Sequence, residues 1–105
     1  MDLAAELERR HRNVRAAMEA HELDALIVAG SEYSGFEGAV TYMSGFQIVH
    51  RYAYVVLPAS GDASVVFPSE ARYVGEHGQT SLAQVFHPRP GEHMAEIART
   101  AGWRR

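Results

Sequence analysis

Residues 52–67 read YAYVVLPASGDASVVF, a sequence that predicts two β-strands joined by a turn. Its two ends, Tyr52 to Leu57 and Ala63 to Phe67, are rich in valine and aromatic residues, which favour β-strands. Between them, Pro58 to Asp62 is a turn-forming sequence. Two such runs joined by a short connection are typical of an antiparallel hairpin. We therefore predict a hairpin near the middle of the chain.

The first twenty residues predict an amphipathic helix, from about residue 3 to residue 20. Asp2 can cap its amino terminus, because the carboxylate accepts a backbone N–H. The apolar residues that recur near helical spacing are Leu3, Leu7, Val14 and Met18. The other face interleaves Glu6, Glu8 and Glu19 with Arg9, Arg10, Arg12 and Arg15. We interpret that face as a solvated, salt-bridged surface rather than as a nucleic-acid-binding surface.

A strand, a loop and a helical turn are predicted between this helix and the hairpin. Ala25 to Gly30 is a short apolar run, which we interpret as a central strand covered on both faces. The loop Gly30 to Gly38 follows, where open α/β sheets often bind ligands. Turns and close packing explain its glycines equally well, and we prefer that interpretation. Ala39 to Met43 predicts a helical turn that Ser44-Gly45 ends.

Beyond the hairpin the sequence predicts a helix, a strand and a final helix. Ser69 can cap a short helix that runs to about His77, and Leu82 to Phe86 favours a strand. The last helix includes Glu92 to Ala101 and stops at Gly102. The order α-β-α-β-β-α-β-α is typical of an α/β domain in which helices flank a mixed sheet. With 105 residues, the chain is the size of one domain.

The composition excludes several kinds of site. There is no cysteine, which excludes disulfides, thiolate zinc sites and a cysteine nucleophile. Lysine is also absent, so a phosphate-binding loop of the usual type is excluded. No apolar run is long enough to span a membrane, and the first residues lack the features of a signal peptide. We expect a cytoplasmic protein without nucleic-acid or membrane partners.

The histidines and one arginine are the remaining candidates for chemistry. His93 and Glu96 can share one helix face, but zinc needs three or four convergent ligands, so a surface ion pair is favoured. Four other histidines fall at helix ends or loop edges and are expected to be solvated: His11, His21, His77 and His87. The pair His50-Arg51 combines a titratable donor with a fork that suits carboxylates. Spacing alone favours a surface ion pair there too.

Taken in order, several segments resemble the amino-terminal domain of the creatinase, prolidase (Xaa-Pro dipeptidase) and Xaa-Pro aminopeptidase metallohydrolases. The arginine-rich helix runs into Met18 to Val28, and Val40 to Phe46 is similar to that family's Asn-Val-Arg-Tyr-Leu-Thr-Gly-Phe-like turn. The matching segments that follow are Tyr54 to Pro58, a Gly-Asp turn, Val65 to Pro68 and a helix that begins Glu70-Ala71-Arg72-Tyr73. The sequence departs from the family at Glu22, where glycine is usual, and at Ala39, where asparagine is usual.

The resemblance implies a ribonuclease H-like α/β fold without nuclease activity. It also implies that the metal ligands, which would hold Mn, Zn or Co, belong to a separate carboxy-terminal catalytic domain. Residues 1–105 are therefore expected to be a single amino-terminal domain, truncated at its carboxy-terminal end and inactive alone. The expected role is to help a homo-oligomer form and to wall the active-site entrance of a hydrolase that cleaves a C–N bond.

One site follows from the resemblance. In creatinase-like dimers the segment after the Gly-Phe turn points toward the neighbour's substrate pocket, which implies that His50 and Arg51 contact substrate in the partner subunit. Two alternatives stay open at this point. The chain can be a stand-alone ligand-binding or dimerisation module that uses the Gly30 to Gly38 loop, or a superfamily member with a non-peptide substrate.

Overall fold

The computed structural model describes residues 2–31, 37–45, 52–68 and 82–105. Their secondary structure confirms the predicted order of elements, and the helix predicted from Ser69 to His77 lies outside the described residues. The elements are α1 (Leu3–Ala20), β1 (Ala25–Ser31), α2 (Glu37–Ser44), β2 (Tyr52–Pro58), β3 (Ser64–Pro68), β4 (Ala83–His87) and α3 (Pro90–Ala101).

The four strands form one mixed sheet in the order β1-β2-β3-β4. β2 and β3 are the predicted antiparallel hairpin, with Val55 opposite Val65. β1 pairs antiparallel with β2, and β4 pairs parallel with β3. The predicted α/β architecture is therefore confirmed. Within the described residues, none of the helices combines the length and apolar content that a membrane span needs.

β1 is an edge strand of the described sheet, since it pairs with β2 alone. Within the described residues, β1 is therefore not the central strand covered on both faces that we predicted. Its even positions, Leu26 and Val28, pack against the core, whereas Ile27 on the other face is 44% exposed. The outer face also contains Ala25 and Ala29, whose small side chains lose little when solvated. Because alanine counts as apolar, the sequence of β1 does not show the alternation of apolar and polar residues that is typical of a half-exposed strand.

The two faces of the sheet have separate apolar clusters. The larger cluster lies on the side of α1 and α2, and the smaller one lies beneath α3. Alternate residues of β2 divide between them, because successive side chains of a strand point to opposite faces. The larger cluster contains Met18, Val40, Met43, Ala53, Val55, Leu57, Ala63, Val65 and Phe67, and the smaller contains Val56, Val66 and Met94.

Two helices end in the same hydrogen-bonded motif with different residues at its left-handed position. At the end of α1, the Leu23 N–H donates to the Met18 carbonyl over 2.9 Å, and Glu22 has a φ of 57°. At the end of α3, the Trp103 N–H donates to the Ala98 carbonyl over 3.0 Å, and Gly102 has a φ of 77°. This six-to-one bond defines a Schellman motif, which favours glycine. Glu22 therefore occupies a position that glycine suits better.

Candidate functional site

The last turn of α2 is held by two buried hydrogen bonds. His11 Nε2, on α1, lies 2.7 Å from the Met43 carbonyl oxygen, and Ser44 Oγ donates to the Val40 carbonyl over 2.7 Å. A carbonyl only accepts, so Nε2 of His11 holds a proton. His11 is 6% exposed, which shows that the prediction of a solvated imidazole was wrong. These bonds fix the point from which the chain leaves α2.

An arginine on α1 supports the same turn from outside. Arg10 Nη1 donates to the Tyr42 carbonyl over 2.8 Å, and its guanidinium lies 4.8 Å from the centre of the Tyr42 ring. Arg9 and Arg10 both pair with Glu6, at 2.6 and 3.1 Å. The hydrogen bond from Arg9, followed by that from Arg10 and the two positive charges, lowers the pKa of Glu6 to about 2. The predicted ion pairs are present, but Arg10 also joins two helices.

Gly45 turns the chain out of α2 in a conformation that favours glycine. Its φ is +73°, a value that L side chains rarely adopt. A Cβ atom there would lie 2.8 Å from Cδ1 of Leu3, so the Leu3 side chain of α1 would have to shift to make room for it. α1 therefore contacts Gly45 directly and also hydrogen-bonds to the Tyr42 and Met43 carbonyls just before it.

The candidate residues His50 and Arg51 lie outside the described residues, as do residues 32–36 of the glycine-rich loop. The structure does place their points of attachment. Tyr52, which follows Arg51, is opposite Ser31, the last residue of β1. The two candidate segments are thus attached to neighbouring strands at one end of the sheet. α2 connects them, and its last turn has the rigid support of α1.

The carboxy-terminal histidines form a different arrangement from the predicted one. The rings of His87 and His93 stack with their centres 5.2 Å apart, and Nδ1 of His87 accepts a hydrogen bond from the Arg89 N–H over 2.9 Å. His87 is half-buried, so its imidazole is partly solvated and partly held by these contacts. Within the described residues, Nε2 of His93 is buried without a hydrogen-bond partner, and no ion pair joins His93 to Glu96. His21, in contrast, is exposed as predicted.

The described residues do not fit a metal ion. Among them, no three His, Asp or Glu side chains lie close enough together to share one. A cavity of about 580 Å³ between α1 and the β2–β3 turn has charged residues of both signs on its walls: Glu8, Arg12, Arg15 and Asp62. Acidic and basic side chains together do not indicate whether the cavity would bind an anion or a cation.

A comparison with known families decides what the domain is. The sequence model of the creatinase/prolidase N-terminal domain matches residues 10–104. The chain belongs to this family. Among curated proteins, no significant match to the sequence is found.

Solved structures have the same fold as this creatinase/prolidase N-terminal domain. An Xaa-Pro aminopeptidase from Streptococcus pyogenes has 18% identity and a TM-score of 0.71, over 94% of this chain and 70% of that one. The N-terminal domain of the cytoplasmic peptidase PepQ from Mycobacterium tuberculosis H37Rv has 22% identity and a TM-score of 0.71, over 90% and 68%. A prolidase from Pyrococcus horikoshii OT3 has 14% identity and a TM-score of 0.64, over 88% and 23%. At these identities the likeness establishes the fold alone.

Sequence reasoning missed two residues that hold this creatinase/prolidase N-terminal domain together. His11 follows Leu7 by four residues and precedes Met18 by seven, so its position on the apolar stripe of α1 was a signal of burial. Arg15 donates from Nε to the Pro58 carbonyl over 3.0 Å and from Nη2 to the Gly61 carbonyl, which ties α1 to the β2–β3 turn. No local pattern distinguishes Arg15 from a solvated arginine.

Proposed function

We propose that this chain is the non-catalytic N-terminal domain of a metal-dependent hydrolase of the creatinase and Xaa-Pro dipeptidase type. The observation that carries the proposal is the family match over residues 10–104. The fold agrees with it, since proteins described as an Xaa-Pro aminopeptidase and a prolidase contain the same arrangement. The chain covers 23% of that prolidase, which leaves most of that protein outside the domain.

The residues that the structure describes indicate which role this domain has and which role we assign to a separate catalytic domain. They contain no three-ligand group for a metal, so we assign the divalent ion (Mn, Zn or Co) and the catalytic residues to a separate catalytic domain. The N-terminal domain would then support dimerisation and wall the active-site entrance, in a cytoplasmic homo-oligomer.

A segment that forms the wall of an active site needs rigid support. The end of the sheet near Gly45 and Tyr52 provides such support. Gly45, which precedes residues 46–51, lies beside Leu3 and near the buried His11–Met43 bond, and Tyr52, which follows them, is paired in the sheet. With both ends fixed, His50 and Arg51 can be held toward a partner subunit's substrate. A guanidinium suits a substrate carboxylate because it presents two parallel N–H donors.

Metal analysis and a peptidase assay test the division of labour. We expect the purified chain to retain no stoichiometric zinc, manganese or cobalt after dialysis, and to hydrolyse no Xaa-Pro dipeptide with any of these ions added. One tightly held ion per chain, or hydrolysis above the rate of a buffer blank, would overturn the proposal. The codons downstream of Arg105 give an independent test, because a further domain with two Asp, one His and two Glu ligands is expected there. An immediate stop codon would favour a stand-alone module.

A further inference from the structure

Two histidines hold the start of α3 through a single residue, Arg89. The Arg89 N–H donates to Nδ1 of His87 over 2.9 Å, and the Arg89 carbonyl accepts from the His93 N–H over 3.1 Å. Arg89 is the N-cap of α3, and its own side chain makes no capping hydrogen bond. The two imidazole rings stack with their centres 5.2 Å apart. His87 and His93, the histidine pair, therefore fix the point at which α3 begins after β4.

The hydrogen bond to Arg89 requires a neutral ring at His87. Because Nδ1 accepts this bond, it has no proton, and the proton of the neutral ring is on Nε2. A second proton would have to enter at Nδ1, where it would face the Arg89 N–H. Protonation of His87 therefore breaks the hydrogen bond that holds the start of the helix.

His93 is unsuited to a positive charge for a different reason. Its Nε2 is buried without a hydrogen-bond partner among the described residues. A protonated ring has an N–H at both nitrogens, and a buried charged donor without an acceptor costs more free energy than a neutral polar atom does. The stack on His87 adds to this cost when both rings are charged, because like charges repel.

Within the described residues, the charges around the histidine pair do not favour a proton. The amino terminus of α3 has a partial positive charge, and Arg89 adds a full one. Glu92 is paired with Arg89 at 3.3 Å, and Glu96 is not bonded to Nε2 of His93. The strands on which α3 packs read YAYVVLP, SVVFP and AQVFH, without Asp, Glu, Lys or Arg. Their titratable residues besides His87 are tyrosines, a residue type that is neutral below about pH 10.

We propose that the histidine pair is a pH-sensitive switch for the start of α3. While both rings are neutral, the pair holds Arg89, and with it the first turn of the helix, against β4. A proton on either ring releases that turn, and histidine titrates between about pH 8 and pH 5. The release is local, because Met94 and Trp103 keep the rest of the helix on the smaller apolar cluster. This inference does not depend on the proposed function.

His87→Asn separates the titration from the hydrogen bond. An asparagine side chain also accepts the N–H of the residue two positions on, but it does not titrate. Urea unfolding is measured between about pH 7.5 and about pH 5.5, where histidine titrates and most carboxylates stay charged. The fold prefers a neutral His87, so the unfolded wild type binds more protons and stability falls with the pH. The unfolding equilibrium constant should rise about three- to tenfold more in wild type than in His87→Asn, the effect of one hydrogen bond.

Two further variants complete this experiment. His21→Asn is the matched control, because His21 is exposed at the end of α1, and it should keep the pH dependence of the wild type. His93→Phe keeps a ring that can stack on His87 and has no nitrogen to protonate, so it should also lose less stability in acid. The switch is refuted if His87→Asn or His93→Phe declines as much as wild type, or if His21→Asn reduces the decline equally.

Nuclear magnetic resonance of the unmodified chain covers the case in which a variant fails to fold. At about pH 7.5 the nitrogen chemical shift of His87 Nδ1 should be that of an unprotonated ring nitrogen. As the pH falls, the amide signals of residues 89–94 should move together with the protonation of the two rings. A proton on Nδ1 of His87 at the higher pH, or amide signals that do not follow the rings, would overturn the proposal.

Discussion

Nε2 of His11 donates a hydrogen bond to the carbonyl oxygen of Met43 over 2.7 Å and so joins α1 to the last turn of α2. Both groups are buried, and the bond is the internal support of the segment that leads to His50 and Arg51. A buried carbonyl that loses its donor keeps the cost of its desolvation. The bond should therefore matter for stability and for the position of the turn.

His11→Ala should destabilise the domain by about 1–3 kcal/mol, because the Met43 carbonyl would be left unpaired in the core. Urea unfolding followed by circular dichroism measures the change. His21→Ala is the control, since His21 is exposed at the end of the same helix. If the two variants unfold at the same urea concentration, the His11 bond contributes nothing.

Glu22→Gly should stabilise the domain by about 1 kcal/mol, because Glu22 has a φ of 57° where α3 uses Gly102. Glu22→Ala is the matched control. It removes the same 3.8 Å ion pair with Arg105 and keeps a β-carbon in the left-handed conformation. Thermal or urea unfolding should rank glycine above both alanine and the wild type. If the glycine variant is no more stable than the alanine variant, the backbone of Glu22 is not strained.

Asp24→Asn should destabilise the domain near neutral pH and have less effect in acid. Hydrogen bonds from the Arg104 and Arg105 amides, together with the charges of those arginines, lower the pKa of Asp24. A lowered pKa stabilises the fold at pH values above about 4, the ordinary value for aspartate, and this stabilisation is lost as the pH falls through the folded value.

Urea unfolding of the two proteins at about pH 7 and about pH 2.5 measures this dependence. The difference in unfolding free energy between wild type and Asp24→Asn should shrink at the lower pH. Asp62→Asn removes the same charge at an exposed position of the β2–β3 turn and serves as the control. A difference that is equal at both pH values would mean that the Asp24 charge is not involved.

Arg51→Ala, made in the enzyme that joins this domain to its catalytic domain, should lower kcat/KM about ten- to a hundredfold for substrates with a carboxylate at the contact. A charge-assisted bond to a carboxylate contributes about 1.5–3 kcal/mol. Folding and dimerisation are checked first, and a substrate amidated at that carboxylate is the control. If kcat/KM is unchanged on every substrate, Arg51 is a surface residue and the domain is architectural.

The sequence determined the local structure of this domain. Helical spacing defined α1 and α3, valine-rich runs on either side of Pro58 to Asp62 defined the hairpin, and Ser44-Gly45 marked the end of α2. Each of these signals acts between residues that are near in sequence, through caps, turns and side-chain periodicity. The same ordered segments were enough to indicate the creatinase/prolidase family. The assignment of His50 and Arg51 to a substrate contact remains a prediction.

The contacts that connect the elements depend on how distant parts of the chain pack together. His11 and Met43 are 32 residues apart, Arg15 and Pro58 are 43 apart, and Asp24 and Arg104 are 80 apart. The position of β1 at the edge of the described sheet is a result of the same kind, because it depends on which distant strands pair with one another. Composition and periodicity do not encode such pairings. A polar side chain is solvated or bound according to the backbone groups that distant parts of the chain bring to it.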